Sequence, residues 1–245
     1  EKAKKINLLK LLDVVGYDHK AETERLISEL NSLNAKLIKT FDSNGTQAIL
    51  ISTDKFITLA FRGTEATSIK DIKSDAKATT TKCDSGGNIH SGVKGAFEEV
   101  ANEVQSTLDQ EEFANKPLFI TGHSLGGALA TIAAKKLTHS GGIASCYTFG
   151  SPRVGDEEWI SNIKAPLYRI VNAADCVTMM PPGSDTISAV SWLLGLIPRI
   201  GKSIRSFLLS KFGGYLHGGN MRYLTNCTGG NYDAVNLLYS VSFFY

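Results

Sequence analysis

Lys116-Pro-Leu-Phe-Ile-Thr-Gly-His-Ser-Leu-Gly-Gly-Ala-Leu-Ala130 reads as three pieces: a short apolar strand from Leu118 to Thr121, a five-residue turn, and a helix rich in small residues. The turn, Gly122-His123-Ser124-Leu125-Gly126, fits the pattern G-x-S-x-G. A serine held at a tight strand-to-helix turn needs neighbours without bulk, so that the backbone can bend and Oγ can project. The helix that follows begins beneath the serine, and its unpaired N–H groups and dipole favour negative charge there. Gly127, Ala128, Ala130, Ala133 and Ala134 would let that helix lie close on a sheet. An ordinary Gly-rich loop accounts for the turn, but not for the apolar strand before it or the small-residue helix after it.

Gly122-His-Ser-Leu-Gly-Gly-Ala-Leu-Ala130 resembles the class 3 lipases, the fungal-lipase-like branch of the α/β-hydrolases. Three further segments are similar to that family and occur in its order: Ala60-Phe-Arg-Gly-Thr-Glu65, Ile89-His-Ser-Gly-Val-Lys-Gly-Ala-Phe97 and Tyr147-Thr-Phe-Gly-Ser-Pro-Arg-Val-Gly155. The resemblance implies an α/β-hydrolase fold, a central, mostly parallel sheet flanked by helices. It implies residues 1–245 as a single domain and an activity on carboxylic esters.

At 245 residues the chain suits one α/β domain with a substantial core. Apolar content of 42% and charged content of 20% are those of a soluble globular protein, and a net charge of +2 gives no reason to invoke nucleic acid. No apolar run is long enough to span a bilayer, and the lysine-rich start lacks the apolar stretch and cleavage site of a signal peptide. The first residue is Glu1, not Met, and the compartment is left open between secreted and cytoplasmic. Cys83, Cys146, Cys176 and Cys227 match no zinc or C-x-x-C spacing. Oligomeric state is not legible.

Along the chain, residues 2–16 and 20–33 have helical spacing, with Leu26, Ile27 and Leu30 marking a face of the second. Ala35–Phe41, Gln47–Ser52 and Phe56–Phe61 read as strands joined by hairpins at Gly45 and Thr53-Asp54. Thr79–Asn88 is polar and Gly-rich and reads as a loop. A helix follows to about Asp109, with Phe97, Val100, Val104 and Leu108 as its buried stripe. Ile143–Phe149 and Pro166–Val171 are further core strands, and Asp156 caps a short helix between them.

A Ser-His-acid triad in this fold runs in the order Ser, acid, His. Of His19, His90, His123, His139 and His217, only His217 lies beyond every plausible acid-bearing loop. His123 reads as packing beside the strand, and His139 as pointing away from the turn. Tyr215-Leu-His-Gly-Gly219 also resembles the family's histidine loop, whereas His90 matches a family histidine without a catalytic role. Among the acids after Ser124, Asp175 alone comes directly off a core strand, where such folds place their chemistry. Asp175 matches the family's acid, although Cys176 follows it where many relatives carry proline. The expected triad is therefore Ser124, Asp175 and His217. The resemblance makes Thr64 one oxyanion donor, and the backbone N–H of Leu125 is the other.

Between Asp175 and His217 lies a long segment, Thr186–Tyr215. Ile187–Ile197, which includes Trp192, is nearly all apolar, yet too short to cross a bilayer. After Pro198, Ile200, Ile204, Phe207 and Leu208 share one helical face, opposite Arg199, Lys202 and Arg205. Residues 186–212 thus read as a helical cap inserted between the acid and the histidine, meeting lipid at an interface or packing as a helical hairpin over the core. The family's lid region, residues 65–88, contributes Ile69 and Ile72 as further substrate-side candidates.

The expected function is a serine carboxylic ester hydrolase, a triacylglycerol lipase acting on acylglycerols with contact to a lipid interface. A phospholipase A1 or short-chain carboxylesterase with the same triad is the rival enzyme. A hydrolase-like binding module is the rival of another class. The expected chemistry calls for no metal and no organic cofactor.

Overall fold

The computed structural model describes residues 19–63, 80–172, 175–181, 214–225 and 236–238. The helix expected over 2–16, the oxyanion candidate Thr64, the lid candidates Ile69 and Ile72, and the cap 186–212 with Trp192, Ile200 and Ile204 lie outside them.

Eight strands form one sheet in the order β1-β2-β3-β6-β7-β8-β9-β10. They are β1 (Lys36–Ser43), β2 (Thr46–Ser52), β3 (Ile57–Phe61), β6 (Leu118–His123), β7 (Ile143–Phe149), β8 (Leu167–Asn172), β9 (Asn220–Thr225) and β10 (Asn236–Leu238). The first three pair antiparallel, as the hairpin signals required, with the β1–β2 turn using Asn44 at φ 46 and Gly45 at φ 80. From β3 through β6, β7 and β8 to β9 every pairing is parallel, and β10 closes the edge antiparallel. The stretch expected as a loop instead forms a small hairpin, β4 (Thr80–Lys82) with β5 (Asn88–His90). Its turn residues Gly86 and Gly87 sit at positive φ, and backbone pairing is available to polar residues that carry no apolar alternation.

Helices cover both faces. The helix α1 (His19–Asn31) buries Leu26 and Leu30 against Ile49, Ile51 and Ala60. On the other face lie α2 (Ser91–Leu108) and α3 (Leu125–Lys136), over the larger core of Leu50, Leu59, Phe61, Leu118 and Ile120. In α2, Phe97, Val100, Val104 and Leu108 are all buried. Each such side chain stabilises by about 1.5–3 kcal/mol, so packing rather than intrinsic helix propensity holds α2. His90 caps it through a ring nitrogen that accepts from Val93 N–H.

The short helix α4 (Glu157–Ser161) is started by Asp156, whose Oδ1 accepts from Trp159 N–H at 2.9 Å. Its Oδ2 accepts from the Asn88 N–H at 2.8 Å and the Asn88 amide at 2.7 Å. Asp156 is therefore fully engaged in structure. Trp159 itself is fully buried, with the Lys135 ammonium 4.3 Å from its ring centre.

The centre of the fold is crowded at the backbone level. A Cβ on Gly122 would lie 2.1 Å from the Gly126 carbonyl oxygen, and one on Gly126 would lie 2.4 Å from that of Phe61. Neither contact involves a side chain that could move aside. Gly122→Ala and Gly126→Ala are each expected to cost several kcal/mol of stability or to prevent folding, as overpacking against backbone does. Gly95→Ala on α2, where a Cβ meets nothing within 4 Å, is expected to be neutral or stabilising. Urea unfolding of the three variants checks the contrast.

Candidate active site

Ser124 occupies the turn between β6 and α3 with φ 54 and ψ −124, left-handed backbone that a non-glycine residue adopts at a cost of about 1–3 kcal/mol. The surroundings enforce it. Ser124 N–H donates to the Phe149 carbonyl at 2.9 Å, and its own carbonyl accepts from Gly127 and Ala128 in the first turn of α3. The serine is 4% exposed, and its hydroxyl is not spent on capping the helix. Leu125 is the first residue of α3, so its N–H has no intrahelical acceptor, which suits the donor role expected of it.

The second donor was expected on Thr64, just past the described residues. The chain leads up to it through Gly63. A Cβ on Gly63 would lie 2.5 Å from the His123 carbonyl oxygen and 3.5 Å from Ser124 Cβ. The chain leaving β3 therefore runs against the His123 carbonyl, directly before the serine.

Asp175 follows β8 at the same carboxyl edge of the sheet. It caps the 3-10 turn Cys176–Met179, its Oδ1 accepting from Val177 N–H at 3.0 Å. The Oδ2 points over Gly150, where a Cβ would come within 2.7 Å of it. Gly150 has φ 57, so the position is glycine by conformation and by space. His123, exposed rather than packed beside the strand, brings its Nε2 within 3.6 Å of the same point.

His217 lies in the segment just before β9. β9 runs parallel to β8, with Asn220 opposite Tyr168 and Leu224 opposite Asn172. A residue preceding β9 therefore enters from the amino end of the strand, whereas Ser124 and Asp175 follow β6 and β8 at the carboxyl end. Leu216 N–H donates to the Gly155 carbonyl at 2.9 Å, tying this segment to the loop after β7. The Nε2 of His217 lies 2.6 Å from the Thr178 carbonyl oxygen. A carbonyl only accepts, so Nε2 carries the proton and has no lone pair to offer a hydroxyl. His217 makes no hydrogen bond to Asp175 or Ser124. His217 was expected as the base on the order rule; the structure brings its Nε2 to the Thr178 carbonyl and places its loop directly before β9.

The His217 pKa is pushed down to about 3, by burial first and then by the cation Arg169 on β8, against an opposing effect of the Thr178 carbonyl, with a smaller downward push from Arg153 in the loop after β7. Arg169 is itself pushed down to about 10, by burial and by Arg153. Its Nε donates to the Gly218 carbonyl at 2.8 Å. The other histidines have structural settings: His139 Nε2 bonds the Lys116 carbonyl at 2.7 Å, and burial lowers the pKa of His90.

A largely parallel eight-stranded sheet covered on both faces, with a serine on a left-handed turn between a central strand and its helix, defines an α/β-hydrolase. The chain belongs to the class 3 lipase family, whose profile, lipase (class 3), matches residues 58–184. The secreted mono- and diacylglycerol lipase 1 of Fusarium solani is 38% identical over 46% of this chain and 37% of its own length. A lipase of Rhizomucor miehei is 34% identical over 61% of this chain and 45% of its own. Phospholipase A1-II 1 of Oryza sativa subsp. indica is 41% identical over 34% and 23%. The match thus spans less than half the length of these relatives. A solved structure reported as a triacylglycerol lipase whose catalytic centre is a serine protease triad superposes with a TM-score of 0.59 at 28% identity, covering 80% of this chain and 68% of that one.

Because the folded-state pKa of His217 lies below the ordinary 6.5, the unfolded chain binds a proton that the folded chain refuses. Stability is full above pH 6.5 and is expected to fall as the pH drops toward 3, with His90 adding in the same direction. Urea unfolding across that range measures the fall. Imidazole NMR should find His217 still neutral at pH 5, where an ordinary histidine is mostly charged.

Proposed function

We propose that this chain is a serine carboxylic ester hydrolase of the lipase type, cleaving acylglycerol esters through an acyl-enzyme on Ser124. The observation that carries the reading is the strained serine at φ 54, at the start of α3, with the chain leaving β3 against the preceding His123 carbonyl. Strain of this kind persists where the structure needs one side chain presented in one direction. Ser124 Oγ attacks the ester carbonyl, whose oxygen becomes negative beside the Leu125 N–H and the amino end of α3. Thr64, next after Gly63, is the second donor. Asp175 is the acid: one oxygen is held by its own turn, and Oδ2 makes no hydrogen bond among the described residues. A base standing between that oxygen and Ser124 takes the serine proton as Oγ attacks and returns it to the departing alcohol. The alcohol then departs, and water releases the fatty acid from the serine.

Acylglycerol is the substrate class that the names of the fungal relatives support. The rice relative favours a second reading, the sn-1 ester of a phospholipid, with the same serine chemistry. Ser124→Ala is expected to remove hydrolysis of p-nitrophenyl esters by a factor on the order of 10⁴–10⁶ in kcat while leaving the melting transition in place. A serine-reactive phosphonate should label Ser124. Label on another serine, with Ser124→Ala still active, would sink the assignment. Emulsions of triacylglycerol, diacylglycerol and phosphatidylcholine, assayed side by side, decide the substrate.

A further inference from the structure

The turn that carries Asp175 is held in an uncommon way. Four successive carbonyls, those of residues 178 to 181, each accept a hydrogen bond from outside the turn. His217 Nε2 donates to Thr178 at 2.6 Å. The Arg153 guanidinium donates through Nη1 to Met179 and to Pro181, each at 2.7 Å, and Arg153 backbone N–H donates to Met180 at 2.7 Å. The turn is locked to the aspartate from its other side. Val177 N–H donates to Asp175 Oδ1, and Thr178 Oγ1 donates to the Asp175 carbonyl at 2.8 Å. Arg169 completes the arrangement by holding the carbonyl of Gly218, the residue after the histidine.

The structure assigns His217 and Arg153 as positioning residues for Asp175: together they fix the turn 175–181 so that Oδ2 stays aimed over Gly150. This rests on the ester-hydrolase reading of Ser124 and Asp175, but gives His217 a role other than that of base. A carboxylate that is to orient an imidazole must be held to within a fraction of an ångström, and a misplacement of about 1 Å costs on the order of 10²-fold in rate. A turn of seven residues does not hold one by itself. Among the described residues, the charges acting on His217 are Arg169 from β8 and Arg153 from the loop after β7, both cationic. Burial first, and then these cations, keep the ring neutral, and the Thr178 carbonyl draws the one ring proton to Nε2.

His217→Gln, His217→Ala and Arg153→Lys, beside the wild type and Ser124→Ala, test the assignment. Glutamine keeps an N–H donor of similar reach and carries no base. Positioning requires kcat of His217→Gln within about tenfold of wild type, and of His217→Ala lower by about 10²-fold, with KM little changed in either. The acid limb of kcat/KM must survive in both, since the titrating base is another group. If His217→Gln falls as far as Ser124→Ala and loses that limb, His217 is the base and the assignment is overturned. Arg153→Lys, which cannot bridge two carbonyls in one plane, should lose kcat with the same unchanged KM; unaltered kcat in both Arg153→Lys and His217→Ala also overturns it.

Two readouts stand apart from turnover. In the wild type, imidazole NMR must show the proton on Nε2 of His217; the other tautomer overturns the assignment even if no variant folds. Amide exchange at Val177 and Met180 must accelerate in His217→Ala and recover in His217→Gln, and unchanged protection in His217→Ala overturns it. A wild type that turns over none of the esters, or a Ser124→Ala variant as active as wild type, removes the ester-hydrolase reading instead, and the exchange and tautomer results then decide the holding of the turn alone.

Discussion

Backbone approaching backbone at three glycines is the constraint from which the site follows. Gly122 touches Gly126 across the turn, Gly126 lies on the carbonyl of Phe61, and Gly63 lies on the carbonyl of His123. These contacts draw β3, β6 and the start of α3 closer than any side chain would permit. The serine's left-handed conformation is the geometric consequence, since the chain must reverse from strand to helix within one residue. The energy that maintains it comes from elsewhere. α3 is buried along nearly its whole length from Gly126 to Ala134, and the core beneath includes Leu118, Ile120 and Phe97. A cost of about 1–3 kcal/mol at one residue is small against that burial.

The parallel run from β3 to β9 then decides which residues meet. Each strand from β6 to β8 delivers the residue after its carboxyl end to one edge, and Ser124 and Asp175 both arrive by that route. Gly150 arrives after β7 and leaves the gap into which Asp175 Oδ2 projects. A segment that precedes a strand enters from the amino end. His217 obeys that rule, and its loop is tied to Gly155 rather than to Ser124.

This explains what could be read in advance. Local signals were legible: the alternation of β2, the stripe of α2, the Asn-Gly turn, the cap at Asp156 and the G-x-S-x-G turn each depend on neighbours within a few residues. That Asp175 follows closely on a core strand was legible too, because a strand end is a local feature. The setting of His217 was not legible, because it depends on β9, which begins three residues later and whose direction no local pattern reports. Chain order ranks the histidines present, but it cannot say on which edge a loop lies. The hairpin of β4 and β5 was missed for a related reason: it is held by backbone pairing and by the Asn88 contacts with Asp156, sixty-eight residues away in sequence. His123 shows the limit in another way, since the same turn that buries Ser124 leaves its neighbour exposed.

Arg153 and Arg169 have carbonyls rather than carboxylates as their described partners, and the difference matters for the chemistry above them. A carboxylate in their place would draw a proton onto His217 and raise its pKa, making the ring a cation whenever the pH fell slightly. Burial first, and then the Arg169 cation, hold His217 neutral against the opposing pull of the Thr178 carbonyl, and Arg153 adds a smaller push in the same direction. A neutral ring has one N–H, and Thr178 takes it. The fixed tautomer and the held turn are thus one arrangement.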